Sequence, residues 1–432
     1  MNHHAKPFKH KTMNMQRIAF LFWIFVLPLC SQTNNSLALE DCYKLAKQNY
    51  PLVKQRELIE KSKDYSVQNA GKGYFPQLNI NGQASYQSAV TQIPIQIPGM
   101  NIPSLSKDQY KLYGEINQPL YDGGLVKSQK LIQETNAGVE LQKLDVELYK
   151  LKERINQLFF GILMMDEQLK QVELLKKDLQ SAVAKTEASI ANGIAFKNNL
   201  DILKVEQLKI EQRAIEYKAN RSAYLQMLGL FLNQALDVNT QLLKPQNKLA
   251  SQNISRPELL LFDQQKKNVD LQNDVLRSRV LPKFNLFLQA GYGRPALNML
   301  SNTFESYYIG GLRLNWSLSG LYTLKNDKAI LDLSRKNIDL QKELFIYNTN
   351  LSLKQQSAEV QKLSELLRSD DEIITLRSRI KTTSSAQLAN GVISSNDYVR
   401  ELNAEDQARE TKILHDVQLL MAQYNQQTTA GE

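Results

Sequence analysis

The chain is poor in the side chains that ordinarily carry catalysis. Of its four histidines, His3, His4 and His10 stand at the very start, which leaves His415 alone in the rest of the sequence. A single imidazole supports neither a triad nor a multi-histidine metal site, and His415 is expected on a helix face. Gly123-Gly124 and Gly310-Gly311 lack the lysine and hydroxyl pattern of a phosphate-binding loop. No catalytic, cofactor-binding or metal residue is expected, and the chain does not read as an enzyme. What recurs instead is a turn: Ala191-Asn192-Gly193 returns as Ala389-Asn390-Gly391, a sequence suited to stopping a helix in the left-handed conformation.

The elements around those turns also recur. Pro51 is followed by Pro76 and the alternating run 77–86, and Pro257 is followed at the same spacing by Pro282 and the run 283–292. Asn79 matches Asn285, Gln83 matches Gln289, Ala84 matches Ala290 and Tyr86 matches Tyr292. Each copy switches from helical period to strand period. In the first strand Leu78, Ile80, Ala84 and Tyr86 share one face, and Gln77, Asn79, Asn81, Gln83 and Ser85 the other. The first repeat is expected over 37–230: helices over 37–50 and 52–71, the first capped by Ser36, then a hairpin over 77–120, a long helix over 125–192 and a return helix over 198–228. The second repeat, over 257–425, has a first helix, a hairpin over 283–318, a long helix over 321–390 and a return helix over 396–424. Residues 231–256 read as a polar linker with little regular structure, and 426–432 as a tail. Loop 87–107 carries Pro94, Pro98, Gly99 and Pro103, which exclude helix.

In the first long helix, apolar positions 141, 144, 148, 151, 155, 158, 162, 165, 169 and 172 alternate in steps of three and four, as in a coiled coil. Roughly 65 helical residues extend about 100 Å, more than a globular domain needs. The acidic residues of these helices are expected to form solvated faces. Four strands per chain cannot close a barrel, so strands in a membrane require other copies of the chain. Tyr86, Tyr113, Tyr121, Tyr292, Tyr308, Trp316 and Tyr322 fall near strand ends, where membrane-interface aromatics sit.

The bulk properties agree with an exported protein. Residues 1–17 are basic, 18–29 are apolar and a polar stretch follows, which is the layout of a secretory signal peptide over 1–31. Met13 or Met15 offers an alternative start. The apolar run, as a helix, reaches only about 18 Å, short of a bilayer. Cys30 lies in Leu27-Pro-Leu-Cys30, which faintly resembles a lipoprotein box but has Leu29 where a small residue belongs. A disulfide between Cys30 and Cys42 is not expected. The formal charge of +9 owes four positive charges to Lys6, Lys9, Lys11 and Arg17, and the remaining bases are interspersed with acids. That pattern does not suit nucleic acid.

Taken together, these features resemble TolC-like outer membrane efflux proteins. The resemblance runs from Leu37 to about Tyr424 and rests on the opening Leu37-Ala-Leu-Glu-Asp-Cys-Tyr-Lys-Leu-Ala-Lys-Gln-Asn-Tyr-Pro51, Phe75-Pro76, Gln118-Pro-Leu-Tyr-Asp-Gly-Gly124, Asn192-Gly193 and Asn390-Gly391. It implies an α+β membrane protein: a homotrimer with an outer-membrane β-barrel of four strands per chain, continued by a long periplasmic α-helical barrel. It further implies a periplasmic adaptor protein and an inner-membrane transporter as partners, with no cofactor. The turns at Asn192, Gly193, Asn390 and Gly391 become periplasmic tips that meet the adaptor. Asp397 matches an acidic constriction position, Asn199 is its counterpart in the first repeat, and Arg400 stands where a further acid is expected. Asp397 also suits a helix start, where the dipole favours an acid. The implied function is a passive conduit of a tripartite efflux or export system. The alternative from the residues alone is an exported coiled-coil tether or adhesin, which would neither reside in the outer membrane nor conduct ions.

Overall fold

The computed structural model describes residues 36–91, 105–247 and 253–432. The signal-peptide reading of 1–31, with Cys30, and the prolines of the first interstrand loop fall outside the described residues. In chain order the elements are β1 (Ser36–Leu37), α1 (Leu39–Asn49), α2 (Gln55–Gly71), β2 (Gln77–Tyr86), β3 (Asp108–Tyr121), α3 (Leu125–Tyr149), α4 (Leu151–Ala191) and α5 (Lys197–Leu232). They continue as β4 (Gln241–Leu242), α6 (Pro257–Arg279), β5 (Lys283–Arg294), β6 (Glu305–Asn315), α7 (Gly320–Ala389) and α8 (Ser395–Ala430).

The four long strands form one antiparallel sheet in the order β2-β3-β5-β6. Its two outer strands, β2 and β6, each keep one edge without a partner. α7 is 70 residues long, and only Thr349, Leu363, Asp370 and Ser384 along it are buried. At about 1.5 Å per residue it spans about 105 Å. A ladder of ion pairs fastens its first half to α6: Lys266 to Asp339 at 2.6 Å, Lys342 to Asp263 at 2.9 Å and Arg335 to Asp270 at 3.4 Å. Such exposed pairs contribute little each, about 0–1 kcal/mol, so they align the helices more than they stabilise them.

Two apolar cores hold the helices together. In the first, Leu39, Cys42 and Ala46 of α1 pack on Ile155, Phe159, Phe160 and Ile162 of α4, with Leu225 and Leu228 of α5 and Leu420 and Tyr424 of α8. Phe160 lies between Phe159 at 5.9 Å and Tyr424 at 5.7 Å, centroid to centroid. Cys42 is a fully buried core residue, and burial pushes its thiol up to about 12. The second core, toward the turns, joins Val172, Leu175 and Leu179 of α4 to Leu203 and Ile210 of α5 and to Tyr398 and Leu402 of α8. Of the heptad positions, 144, 148, 151, 155, 158, 162 and 172 are buried, while 141, 165 and 169 are half-buried.

Several sequence expectations need correction. Ser36 does not cap a helix: it pairs in β1, parallel to β4, and Ala38 precedes α1 without a side-chain cap. The expected helix over 125–192 loosens at Lys150, whose backbone stays right-handed and whose N–H reaches Val146 O at 3.3 Å. Within the expected linker, residues 231–247 are more ordered than a linker. α5 continues to Leu232, Asn233 closes it in the left-handed region, and the Arg221 guanidinium donates to the carbonyls of Val238 and Thr240, both at 2.8 Å. β6 ends at Asn315, not 318, because the chain turns where the Trp316 indole N–H donates to Val280 O at 3.0 Å. Residues 426–430 are not a tail but the last turn of α8, capped by Gly431 at φ 109 and fastened by the N–H of Ser255 donating to Ala430 O at 2.7 Å.

Candidate functional site

Strand pairing fixes which side chains share a face of the sheet. Glu115 lies opposite Asn79 and Gln289, Tyr113 opposite Asn81 and Gly291, and Asn285 opposite Arg313. One face therefore collects Asn79, Asn81, Gln83, Lys111, Glu115, Asn117, Asn285, Gln289 and Arg313. The other collects Leu78, Ile80, Leu112, Ile116, Leu286, Leu288, Tyr292, Tyr308, Leu312 and Leu314. Exposure alternates with the faces: in β3 and β5 the polar-face residues are half-buried while their apolar neighbours are exposed. Ile80 is 85% exposed, Leu112 61% and Leu312 62%. The sheet is thus crowded on its polar side and bare on its apolar side. In water this arrangement is unfavourable by about 25 cal/mol per Å² of apolar surface, so the bare face fits hydrocarbon.

The polar face carries its own network. Arg313 donates to Glu115 at 2.8 Å and lies over the Phe287 ring at 4.3 Å, while Gln289 donates to the second Glu115 oxygen at 2.5 Å. The expected interface aromatics divide. Tyr86, Tyr292 and Tyr308 are exposed on the apolar face toward the interstrand loops, where Tyr292 stacks on Phe304 at 5.6 Å. Tyr121 reaches the apolar face because the β3 register shifts between Pro119 and Tyr121, bringing it beside Phe284 at 6.4 Å. Trp316 and Tyr322 are exposed at the helix end of the sheet. Tyr113 does not belong with them: it stands on the polar face, next to Gly291, where an added Cβ would meet the Tyr113 Cβ at 2.5 Å. From Phe284 to Tyr292 the strand runs about 26 Å, which at the ~40° tilt of outer-membrane strands covers about 20 Å of the ~25 Å apolar band.

At the far end of the helices the two turns share one geometry. Gly193 has φ 74 and donates to Ile190 O at 3.0 Å, and Ile194 N–H reaches Ser189 O at 2.8 Å. Gly391 has φ 70, donates to Leu388 O at 3.1 Å, and Val392 N–H reaches Gln387 O at 2.9 Å. Both are Schellman caps in which glycine takes the left-handed position. Asn192 and Asn390 precede them outside that region, at φ −88 and φ −95. The turns are neighbours, since a Cβ at Gly391 would stand 3.5 Å from Ile194 Cγ2. Ile194, Phe196 and Val392 are exposed there.

The return helices start differently. Asp397 and Asn199 both hold the third helical position, but only Asp397 is engaged. Its N–H donates to Ser394 Oγ at 3.2 Å, and its carboxylate accepts from the Ser394 hydroxyl at 2.7 Å and backbone N–H at 3.2 Å, a complete capping box. Those hydrogen bonds, with Arg400 at 3.9 Å, hold the Asp397 carboxyl below its usual range. Arg400 is exposed and also reaches Glu401 at 3.2 Å. α5 begins at Phe196, which supplies no side-chain cap.

Sequence reasoning missed a buried polar knot above the turns. Asp406 of α8 accepts from Arg213 of α5 at 2.8 Å and from Gln171 of α4 at 3.0 Å, and Arg213 also reaches Glu410 at 2.9 Å. Glu405 accepts from Lys381 of α7 and Arg409, and Lys381 extends to Asp178 of α4 at 2.8 Å. These acids are not a solvated face: the Glu405 side chain is 4% exposed. α8 packs on α4, α5 and α7, leaving it no wholly open side. Burial raises the Glu405 pKa, but Lys381 and Arg409 outweigh it and hold the group low. His415 joins α8 to α7 through Nδ1, 2.7 Å from Asp370. Among the described residues no group of three or more His, Cys, Asp or Glu side chains is placed to hold a metal, and no helix is long and apolar enough to cross a membrane.

The described chain is an open sheet, polar on one face and bare and apolar on the other, with long helices running from it. Comparison with known proteins gives its kin. Residues 42–232 match the family model described as outer membrane efflux protein. No curated protein matches the sequence. The fold is similar to CusC, at 13% identity and TM-score 0.64, covering 91% of this chain and 92% of that one. It is similar to the outer membrane protein VceC of Vibrio cholerae, at 12% identity and TM-score 0.63, covering 91% and 96%. It is also similar to the open state of the MtrE outer membrane channel of Neisseria gonorrhoeae, at 12% identity and TM-score 0.62, covering 91% and 89%. Residues 42–232 thus resemble outer membrane efflux proteins, and the fold over 91% of the chain is similar to that of solved outer-membrane channels.

Proposed function

We propose that three copies of this chain form the outer-membrane channel of a tripartite efflux or export system, a passive conduit from the periplasm to the exterior. The reading rests on the inversion of the sheet, apolar outside and polar inside. The unpaired edges of β2 and β6 support the oligomer, because in hydrocarbon each unpaired backbone group costs several kcal/mol. Pairing β2 of one copy with β6 of the next closes twelve strands around the polar face. The open side of α7 then packs against a neighbouring copy in a periplasmic helical barrel. Each repeat, 37–230 and 257–425, supplies one hairpin and one helical pair to this wall, with 231–247 lying between them.

The turns at Asn192, Gly193, Asn390 and Gly391 form the periplasmic tips, where exposed Ile194, Phe196 and Val392 offer an apolar surface to an adaptor protein. The adaptor couples the tube to an inner-membrane transporter. Asp397, Asn199 and Arg400, one turn further in, line the tip constriction, and adaptor binding spreads the helices to widen it. The expected result is a heat-modifiable, SDS-resistant oligomer in outer-membrane fractions that conducts ions in planar bilayers. A soluble, non-conducting rod would overturn the reading.

A further inference from the structure

The two hairpins of the sheet are related residue by residue, and the pairing inside the chain tests how closely. One spacing carries Asn79, Gln83 and Tyr86 of β2 to Asn285, Gln289 and Tyr292 of β5. A second, shorter spacing carries Tyr110, Asn117 and Leu120 of β3 to Tyr308, Asn315 and Leu318. Applied together to the β2–β3 hairpin, these spacings turn the pair Asn79–Glu115 into Asn285–Arg313 and the pair Gln83–Lys111 into Gln289–Ile309. Both are pairs of the β5–β6 hairpin. The two hairpins therefore keep one register, although their loops differ in length and most of their side chains have diverged.

β3 pairs with β5 along the seam between the repeats, while β2 and β6 keep open edges. The same spacings convert each pair of that inner seam into a pair between β6 of one copy and β2 of the next. Glu115–Gln289 becomes Arg313–Gln83, Asn117–Phe287 becomes Asn315–Asn81, Ile116–Leu288 becomes Leu314–Gly82 and Leu112–Tyr292 becomes Gly310–Tyr86. Polar-face positions meet polar-face positions, and apolar meet apolar, as a sheet with one wet and one lipid face requires. Tyr86 and Leu314, 77% and 56% exposed in the single chain, fall opposite glycines, and the Gln83 amide oxygen falls opposite the Arg313 guanidinium.

The helices carry the same relation. α3 packs on both α2 and α6, and a Cβ at Gly138 of α3 would stand 3.3 Å from Gln264 Oε1 of α6. Their equivalents are Lys336 of α7 and Leu58 of α2. Thr135 and Val146 are buried on α3, whereas their equivalents on α7, Leu333 and Leu344, are 64% and 59% exposed. Leu58 is 65% exposed on α2. Both faces lack the cover that the inner seam supplies.

We propose that the seam between copies repeats the seam inside the chain: β6 and α7 of one copy take β2 and α2 of the next in the register that β3 and α3 take with β5 and α6. This deepens the three-copy reading and rests on it. One interface then recurs around the wall, within each chain and between chains. The new ladder satisfies the backbone groups of both open edges, and burial of Leu58, Leu333 and Leu344 supplies an apolar driving force at the helices.

The test is disulfide formation between chains in outer membranes containing double-cysteine variants, oxidised with copper phenanthroline and run heated without reductant. Across antiparallel strands, directly opposed residues stand about 4.5–5.5 Å apart and diagonal ones about 7–8 Å, so a disulfide favours the opposed pair. Asn81→Cys with Asn315→Cys should give covalent trimers, at least about fivefold more than Asn315→Cys combined with Asn79→Cys or with Gln83→Cys. In a separate variant away from the strands, Lys336→Cys with Leu58→Cys should be joined between chains by a short bismaleimide. SDS-resistant oligomers on unheated gels would show that each variant assembles. Stronger joining by a slipped strand pair, or no joining by the strand or the helix pair in assembled oligomers, overturns the inference while leaving the ring intact. A wild type that forms no SDS-resistant oligomer overturns the three-copy reading and takes the inference with it.

Discussion

At the scale of single residues, the acids of α8 show how context assigns a role. Asp397 has its carboxylate tied into a cap, whereas Glu405 is taken out of water and answered by two cations. Because the folded pKa of Glu405 is depressed, its contribution to stability is present above the unfolded value of about 4.3 and is lost as pH falls through the folded value. Hydrogen exchange of amides in 398–409 should therefore accelerate below about pH 4, and Glu405→Gln should flatten that acid dependence. Lys381→Met leaves Glu405 and Asp178 without their shared cation and should destabilise the tip half by about 2–3 kcal/mol, read by denaturant titration. Sequence spacing cannot reveal such a knot, because Gln171, Arg213, Lys381 and Asp406 meet only once four helices are packed. Gly391 is different: the Asn-Gly pair was plain in the sequence, and the left-handed backbone explains it. Gly391→Ile imposes left-handed strain of about 1–2 kcal/mol and places a branched side chain against Ile194, so export should fall while membrane insertion persists.

At the scale of elements, the strands were the most legible part, since period-two alternation survives whatever the sheet packs against. The same parity corrects the grouping of Tyr113, which shares a face with Lys111 and Glu115 and not with Leu112. Tyr121 could not be placed by parity, because the register shift at Pro119 reverses it. Long helices were legible from proline-free stretches and heptad spacing. β1 and β4 were not: each is two residues long, and their pairing depends on Arg221 holding the carbonyls of Val238 and Thr240. Arg221→Ala should release this strap, and limited proteolysis should then cut within 233–247 sooner than in wild type, with the rest of the chain resisting as before.

At the scale of the whole molecule, the described chain is incomplete as a folding unit in water. Its sheet has two open edges, its apolar face is bare and α7 is exposed along most of its length. That much was foreseen from counting strands, but the number of copies was not, because twist and curvature set it. If three copies close the sheet as proposed, the oligomer should survive SDS at room temperature and separate on heating. Replacing Ile80 with Lys on the apolar face should cost about 2–4 kcal/mol if it lies near mid-bilayer, and lower the yield of oligomer in outer-membrane fractions.

The unequal starts of the return helices bear on stoichiometry. α8 is locked by a box of Ser394 and Asp397, while α5 leaves Phe196 without a cap, so the two neighbouring turns of each chain present different stiffness and different charge. In the proposed three-copy ring, a docking protein that contacts every turn meets alternating surfaces in place of six equal ones. Its subunits must then either bind in two distinct ways or bind as three, and counting adaptor subunits per channel would reveal which symmetry the partner reads.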